Sequence, residues 1–156
     1  MSIIGQPRHF HTKFKFRVEI DGLGSAAFQS CSELKAEIAK IEYFEGGAIT
    51  PDKQPGRMTV SDITLERAVT KDVDLYTWFQ ITANAVANGG LRSPFFKRNG
   101  SIVQYDRDNA VMRRWQLAGL WPVSYVGGAW DNNSDEFAME QIVLSLDWFL
   151  LKKNAL

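Results

Sequence analysis

The sequence has little of several features that would assign it to a specialised class of protein. It contains one cysteine, Cys31, so no internal disulfide can form, which fits folding in a reducing compartment. Its 18 basic residues balance its 18 acidic residues, so net charge favours neither nucleic acid nor an anionic membrane surface. The longest apolar run, residues 146–151, is interrupted by Asp147 and is far shorter than the roughly twenty residues of a membrane span. Composition therefore predicts no stable membrane association.

The domain organisation follows from length and from the absence of internal boundaries. The 156 residues are 45% hydrophobic, which is enough for one compact domain with a real core. No fixed-period repeat, low-complexity tract or linker divides the chain. The start of the sequence lacks the apolar segment of a classical secretion signal. We predict one domain over residues 1–156, with an N-terminal arm at residues 1–12.

Strict alternation near the start of the chain predicts a half-buried antiparallel strand. In residues 13–21, KFKFRVEID, apolar side chains occupy one face and charged side chains the other. The apolar face consists of Phe14, Phe16, Val18 and Ile20. Residues 22–25 have turn composition and residues 26–29 resume an extended pattern. The simplest interpretation is a β-hairpin.

The next two segments are harder to assign from their residues. SELKAEIAKIEYF, residues 32–44, matches both helix and strand periodicity, and its composition leans towards helix. EGGAITPDKQPGR, residues 45–57, contains glycines and two prolines that favour a long exposed loop. A loop of this length in a small domain usually has a function.

One helix is expected, at residues 72–88. Thr70 or Asp72 can cap it, and Asp72 and Asp74 suit the positive end of the helix dipole. A stripe of side chains at three-four spacing predicts its buried face, and Asn88 with the two following glycines ends it. The stripe is Leu75, Trp78, Phe79, Thr82 and Val86.

The C-terminal part of the sequence has the pattern of strands. Residues 101–105 and 111–117 read as two strands joined by the turn DRDN, residues 106–109, in which Asp106 and Asp108 shape the turn. The Trp121-Pro122 step requires an extended backbone at Trp121. A last strand has Ile142, Leu144, Leu146 and Trp148 on one face. The residues therefore predict a mainly β protein with one helix.

Two motifs with possible chemistry have simpler explanations. DGLGSAA, residues 21–27, matches the spacing G-x-G-x-x-A, with Glu42 about where a ribose-binding acid would lie. The preceding strand alternates charged with apolar residues, unlike a buried parallel strand, so a turn is favoured. His9 and His11 could share a metal, but no third ligand is near in sequence, and solvated histidines are favoured.

No catalytic group can be assembled from the remaining candidates. Cys31 has no identified basic neighbour and is expected to be a small buried apolar residue. The pairs 97–98 and 113–114 could contact phosphates, with Phe95, Phe96 and Trp115 for stacking, but the balanced charge argues against nucleic acid. Asp135 and Glu136 lie in a polar loop, where solvation is expected. We predict no enzyme activity, no cofactor and no metal.

Several segments taken together carry a family resemblance. They are FKFRVEIDGLGSAAFQSCSEL near the start, IEYFEGG, QPGRMTVSDITLERAVTKDVDLYTWF, RNGSIVQYD, LWPVSY and DEFAMEQIVLSL. In this order they cover nearly the whole chain. The chain resembles the phage tail tube family, in the branch shared by contractile phage tails and extracellular contractile injection systems.

The resemblance implies a mainly β (α+β) fold. Two packed antiparallel β-sheets would form a barrel-like sandwich with one flanking helix and an extended loop, and residues 32–44 would be a strand. It also implies a structural subunit of an inner tail tube, in which hexameric rings stack into a hollow tube that conducts genome or cargo.

The same resemblance implies partners and a location. The partners are other copies of the chain, a sheath protein, baseplate or tube-initiator and terminator proteins, and the cargo or DNA in the lumen. Assembly would occur in the bacterial cytoplasm, within a virion tail or an injection particle. Residues 45–57 would be a loop that contacts neighbouring subunits or rings. The expected interface residues are Glu45, Gly46, Gly47, Lys53, Pro55, Gly56 and Arg57.

Other functions remain open at this point. A baseplate-proximal tube initiator would look much the same, and a type VI secretion-like ring protein acting as a cargo chaperone shares the architecture. A small β-sandwich binding module would instead be a monomer with a concave pocket. Residues 45–57 could also be an ordinary surface loop.

Overall fold

Antiparallel strands make up most of the chain, in agreement with its two-residue alternation of apolar and polar side chains. The computed structural model describes residues 15–23, 28–47, 49–87 and 96–152. These residues form nine strands and one helix. In chain order the elements are β1 Phe16–Ile20, β2 Ser30–Cys31, β3 Ala36–Tyr43, β4 Asp52–Val60, β5 Ile63–Ala68, α1 Asp74–Ala87, β6 Arg98–Tyr105, β7 Val111–Val126, β8 Met139–Ser145 and β9 Trp148–Lys152.

The strands form two antiparallel sheets of different size. Seven strands share one sheet in the order β1-β6-β7-β8-β5-β2, and β9 pairs with β7 beside this path. The 16-residue strand β7 pairs through its first half with β6 and β9, and through its second half with β8. The large sheet therefore has two halves that meet at β7. Strands β3 and β4 form a separate two-stranded sheet.

One core lies between the two halves of the large sheet and the helix. Its members come from β1, β6 and β7 in one half, from β5 and β8 in the other, and from α1. They include Val18, Ile20, Ile102, Leu117, Ile63, Leu65, Ile142, Leu144, Leu75 and Trp78. The predicted mainly β fold with two antiparallel sheets and one helix is confirmed. The arrangement is sandwich-like, and the sheets do not close into a barrel, because among the described residues the outer strands β1 and β2 do not pair.

The helix α1 packs through the predicted apolar stripe, with one exception. Leu75, Trp78 and Thr82 are buried, and the indole N–H of Trp78 donates to the carbonyl of Phe96 at 2.7 Å. Val86 was expected on the same stripe but is 71% exposed. The prediction is wrong at this position, which lies in the last turn of the helix.

Strand pairing differs from the sequence expectation at two places. The hairpin predicted after β1 does not give the partner of this strand, because β1 pairs with β6, and Gln29, at the end of the predicted second strand 26–29, donates to Glu66 in β5. Residues 26 and 27 lie outside the described residues. The predicted last strand is two strands: Ile142 and Leu144 lie in β8, while Trp148 lies in β9 and is half exposed. Local alternation fixes which side chains share a face but not which strand is the partner.

The β6–β7 hairpin is confirmed, and so is the turn-forming role of Asp106. Its carboxylate accepts the backbone N–H groups of Asp108 at 2.9 Å and of Ala110 at 3.0 Å. Asn109 has a φ of 62°, a left-handed conformation that asparagine tolerates better than most residues. Strand β7 continues through Trp121 and Pro122, as the predicted extended backbone requires.

Strand β7 changes neighbours at Gly119. This residue has a φ of +71°, and a Cβ built on it would overlap the carboxylate of Asp147. The backbone N–H of Asp147 donates to the carbonyl of Ala118 at 2.8 Å, so the link between β8 and β9 crosses β7 closely at this point. A side chain is therefore excluded both by backbone conformation and by space.

Gly119→Ala is expected to lower the free energy of unfolding by about 1–3 kcal/mol, because alanine at positive φ is strained and its methyl group must displace Asp147. Urea unfolding followed by circular dichroism measures the change. Gly46→Ala is the matched control, since nothing lies within 4 Å of a Cβ at Gly46 and its φ is not positive. Equal stability of the two variants would contradict this account of the bend.

A buried ion cluster, defined here as Arg67, Asp74 and Glu140, joins strands β5 and β8 to the start of the helix. Arg67 and Glu140 are cross-strand neighbours in β5 and β8, each 4% exposed, and their side chains form a salt bridge. Arg67 also forms a salt bridge with Asp74, which begins α1. Tyr125 in β7 donates to Glu140 at 2.7 Å.

The two carboxylates beside Arg67 favour its charged form. Burial lowers the pKa of Arg67, but hydrogen bonds and charge from Asp74 and Glu140 outweigh this and raise it above its ordinary value. Burial, with the hydrogen bond to Glu140, raises the pKa of Tyr125 to about 12. One oxygen of Asp74, Oδ2, is buried without a hydrogen-bond partner. Arg67 supplies the only positive charge that contacts Asp74 and Glu140 among the described residues.

Candidate subunit interface

The two-stranded sheet carries the segment that the sequence singled out as an interface. We call β3, β4 and their turn, residues 36–60, the ribbon. All eight residues of β3 are exposed, and in β4 only Gly56 and Val60 are partly covered. The two strands pair only with each other among the described residues. A two-stranded ribbon without a packed face is marginally stable in water. The ribbon is therefore a candidate surface for contact with another chain.

Residues 32–44 contain a strand rather than a helix, as the resemblance implied. β3 runs over Ala36–Tyr43, so the helical tendency of the composition is wrong. Helix propensity is a weak preference, and pairing with β4 along seven register positions overrides it.

The prediction of a loop throughout residues 45–57 is wrong for its second half, because residues 52–57 belong to β4. Pro55 lies opposite Lys40, and Gly56 and Arg57 together lie opposite Ala39, which is the two-against-one pattern of a β-bulge. Both strands of the ribbon are edge strands, where proline can be accommodated. A Cβ on Gly56 would lie 3.0 Å from Ile41, so glycine allows the close approach.

The predicted interface residues occupy two places on the ribbon. Glu45, Gly46 and Gly47 form its turn, in which Gly47 has a φ of +87°. Lys53, Pro55, Gly56 and Arg57 lie along β4. The fold thus brings all seven onto one hairpin, but it separates the turn from the bulge by several residues. Their role in an interface stays a prediction.

Large apolar side chains on both faces of the ribbon were missed by the sequence reasoning. Ile38 and Met58 are cross-strand neighbours on one face and are 59% and 55% exposed. Ile41 and Tyr43 lie on the other face and are 52% and 41% exposed. The signal was present in the sequence, because β3 alternates these residues with Glu37, Lys40 and Glu42 without a buried face to justify it.

Polar pairs also cross the ribbon. Glu42 lies opposite Lys53, and Tyr43 lies opposite Asp52. A hydrogen bond to Asp52 raises the pKa of Tyr43. Near the base, Lys35 forms a salt bridge with Glu37 at 2.9 Å. The two cross-strand pairs suit this register of the strands, and the apolar side chains stay uncovered.

A second uncovered feature is the pair of outer strands in one half of the large sheet. In the local order β1-β6-β7-β9, β1 pairs only with β6 and β9 only with β7 among the described residues. Each neighbouring pair is antiparallel, so β1 and β9 run in opposite directions. Unpaired strand edges bind other strands readily.

Most side chains on the face of this half-sheet that points away from the core are polar or charged. Arg17, Arg114 and Lys152 lie in one cross-strand row with the fully buried Val103. Glu19 lies in the next row, which also holds the half-exposed Leu150. Arg114 contacts Glu19 at 3.5 Å and the hydroxyl of Ser101 at 3.4 Å. This surface is therefore suited to contact with water.

The structure places the other sequence candidates away from any shared site. Gly22 lies in a turn after an antiparallel edge strand and Glu42 lies on the ribbon, whereas residues 24–27 of the motif lie outside the described residues. Residues 28–31, which follow the motif, form no helix, unlike a dinucleotide site. Burial raises the pKa of the Cys31 thiol to about 11, which disfavours the nucleophilic thiolate. His9 and His11 lie outside the described residues. No group of three potential metal ligands occurs within the described parts of the chain.

The basic pairs do not form a joint surface either. Lys97 forms a salt bridge with Asp147 at 3.3 Å, and the Arg98 guanidinium lies 5.2 Å from the centre of the Trp78 ring. Trp115 packs edge-on against Phe149 rather than presenting a stacking surface. In the described ranges, no helix is long and apolar enough to cross a membrane.

Open strand edges and a ribbon with no core of its own are features typical of structural proteins that assemble with other chains. The sequence supports this class directly, because the family model described as T4-like virus tail tube protein gp19 matches residues 12–149. The chain belongs to this tail tube family, and as the resemblance predicted it is a structural tube protein.

Solved structures show the same fold at low sequence identity. A chain of the anti-feeding prophage tube-terminating cap has a TM-score of 0.78 and 23% identity, covering 97% of this chain and 99% of that chain. A chain of the sheath-tube complex of the extracellular contractile injection system PVC has a TM-score of 0.75 and 20% identity, covering 96% and 93%. Hcp1 from Flavobacterium johnsoniae has a TM-score of 0.53 and 17% identity, covering 89% and 95%. No curated protein matches significantly in sequence.

Proposed function

We propose that this chain is the repeating subunit of the inner tube of a contractile phage tail or injection system. Six copies form a ring, and rings stack into a hollow tube that conducts genome or cargo. The observation that carries the proposal is the pair of open, oppositely directed edges, β1 and β9, in one four-stranded half of the sheet.

A ring gives both open edge strands, β1 and β9, a hydrogen-bonded neighbour. In a cyclic assembly every subunit has the same orientation along the axis, so β1 of one copy faces β9 of the next. Because the two strands run in opposite directions, their pairing is antiparallel and continues the sheet without a break. Closure removes the free edges that would otherwise promote aggregation.

The ring also assigns the two faces of that half-sheet. One face packs on the core, with α1 and the second half of the sheet behind it. The other face carries the row of Arg17, Arg114 and Lys152. We assign the polar face to the water-filled lumen, because it is the uncovered side of a wall one domain thick.

The ribbon is assigned to contacts between neighbouring subunits or rings. Its turn holds Glu45, Gly46 and Gly47, and β4 holds Lys53, Pro55, Gly56 and Arg57. The exposed apolar side chains on both of its faces support this assignment, since a ribbon held between neighbours buries both faces.

The partners follow from the same assembly. A sheath protein surrounds the tube, and baseplate or initiator proteins and terminator proteins lie at its two ends. The PVC sheath-tube complex and the anti-feeding prophage complexes, which contain chains of the same fold, support these partners. Subunits assemble in the bacterial cytoplasm, and the protein has a structural rather than an enzymatic role. The lower TM-score to Hcp1 gives less support to a type VI secretion-like ring protein.

Cysteine pairs across the proposed boundary test the ring. Arg17 or Glu19 in β1 and Leu150 or Lys152 in β9 are changed to cysteine in a Cys31→Ala background. Within one subunit β1 and β9 are separated by two strands, about 14 Å, which exceeds the reach of a disulfide. Oxidation is expected to give covalent multimers up to the hexamer on a non-reducing gel, alongside rings or tubes in negative-stain images.

The control pairs Arg107→Cys, in the β6–β7 turn away from either edge, with Leu150→Cys, and no ladder of multimers is expected. Purified protein that stays monomeric, or that gives multimers equally with both designs, would contradict the proposed ring.

A further inference from the structure

A second exposed segment joins β7 to β8, and we call residues 127–138 the acidic loop. Its aromatic side chains Trp130 and Phe137 are 86% and 85% exposed. Between them lie Asp131, Asp135 and Glu136, and the loop contains no basic residue. None of these three carboxylates forms a salt bridge with another described residue.

The acidic loop has a defined local structure that holds its aromatic residues in solvent. The carboxylate of Asp131 accepts the N–H of Asn133 at 3.0 Å, and the hydroxyl of Ser134 accepts the N–H of Glu136 at 3.2 Å. Gly128 has a φ of +109° and lies close to the carbonyl of Met139. Aromatic residues are enriched at the centres of protein interfaces because they bury a large area with few rotatable bonds.

One face of the ribbon has the complementary character. The neighbours Ile38 and Met58 form an exposed apolar pair, and Lys40 follows on the same face of β3. Lys53 lies on this face opposite Glu42. Neither lysine forms a salt bridge within 4 Å with another described residue.

The opposite face of the ribbon does not match in the same way. It combines the apolar Ile41 and Tyr43 with the acidic Glu37 and Asp52. Acidic side chains there would repel an acidic loop. Charge therefore favours the face of Ile38, Met58 and Lys40, which has two lysines against the single carboxylate of Glu42.

We infer that the acidic loop of one subunit docks on the Ile38–Met58 face of the ribbon of another copy. Both surfaces are exposed in the single chain, so the contact is between copies. Because the two surfaces differ, the contact is head-to-tail and repeats through an assembly. This inference rests on the proposed self-assembly and adds a specific pair of surfaces to it.

Charge reversal tests the docking. Asp135→Lys/Glu136→Lys in the loop, or Lys40→Glu/Lys53→Glu in the ribbon, places like charges together. Each double variant is expected to raise the protein concentration needed for tube formation by more than about tenfold. Combining the four changes restores opposite charges and is expected to recover assembly. Sedimentation velocity and negative-stain imaging give the readout.

Two further variants keep the test specific. Trp130→Ala/Phe137→Ala is expected to weaken assembly without changing net charge, because it removes the apolar anchors. Asp108→Lys, in the β6–β7 turn, is the control reversal and is expected to assemble as the wild type does. Thermal melts verify that each variant is folded.

The outcomes separate this inference from the proposed function. If the wild type assembles and the loop variants assemble equally well, the docking is wrong while the ring stands. If both reversals block assembly but their combination does not recover it, the loop and the ribbon contact other surfaces, and the docking is again wrong. If the wild type stays monomeric, the proposed function fails as well.

Discussion

Arg67→Met is expected to lower the free energy of unfolding by about 3–5 kcal/mol, the cost of removing one partner from a buried ion pair. Arg67 is the only cation that contacts Asp74 and Glu140 among the described residues. Its loss leaves Glu140, which is 4% exposed, without a counter-charge. It also leaves Asp74, one of whose oxygens already lacks a partner, at the start of α1.

Urea unfolding of the monomeric protein, followed by circular dichroism, measures this effect. Arg17→Met is the matched control, because Arg17 is half exposed and lies 3.7 Å from Glu19. An exposed pair of this kind contributes about 0–1 kcal/mol. Equal losses in the two arginine variants would show that the buried ion cluster does not stabilise the fold as described.

A double variant separates charge imbalance from lost packing. Arg67→Met/Glu140→Leu removes both members of the cross-strand pair, and it is expected to be more stable than Arg67→Met alone. Tyr125 loses its acceptor in this variant, so recovery is expected to be partial. A double variant that is less stable than Arg67→Met would indicate that packing of the arginine side chain, rather than its charge, matters most.

Shortening the ribbon is expected to abolish tube formation while leaving a folded monomer. Residues 42–53 are replaced by Asn-Gly, which joins Ile41 to its cross-strand neighbour Gln54 through a two-residue turn. The core takes no member from β3 or from residues 52–59, so the melting temperature is expected to change by only a few degrees. Sedimentation velocity, negative-stain imaging and thermal melts give the three readouts.

The matched control introduces Asn-Gly at a turn outside the ribbon. Asp108→Asn/Asn109→Gly keeps the β6–β7 hairpin, since residue 109 already has a positive φ. This variant is expected to assemble normally. Tubes formed by the shortened chain would show that the ribbon is an ordinary surface hairpin.

Side-chain periodicity was sufficient to predict most elements and which of their faces are buried. Val18 and Ile20 in β1 and Ile142 and Leu144 in β8 are buried as their alternation predicts. Periodicity could not predict strand partners, because the same alternation suits any neighbouring strand. The pairing of β1 with β6, which is distant in sequence, was missed for this reason.

Two features were not predicted from the sequence: the burial of a charged residue in the ion cluster, and a strand that contains proline and glycine in the ribbon. Arg67 follows Ile63 and Leu65 at two-residue spacing, so it lies on the buried face of β5. A count of charged residues does not reveal this position. Pro55 and Gly56 suggested a loop, but a bulge in an edge strand accommodates both. The resemblance to tail tube proteins predicted β3 correctly where helix propensity did not. The role of the ribbon in an interface remains a prediction from the sequence.

The most direct measurement of the central claim is a cryo-electron microscopy reconstruction of the assembled wild-type protein. We expect six-subunit rings in which β9 of each subunit is hydrogen-bonded antiparallel to β1 of the next, with Arg17, Arg114 and Lys152 facing the lumen. A reconstruction in which β1 and β9 face solvent, or a protein that remains monomeric at every concentration, would contradict it.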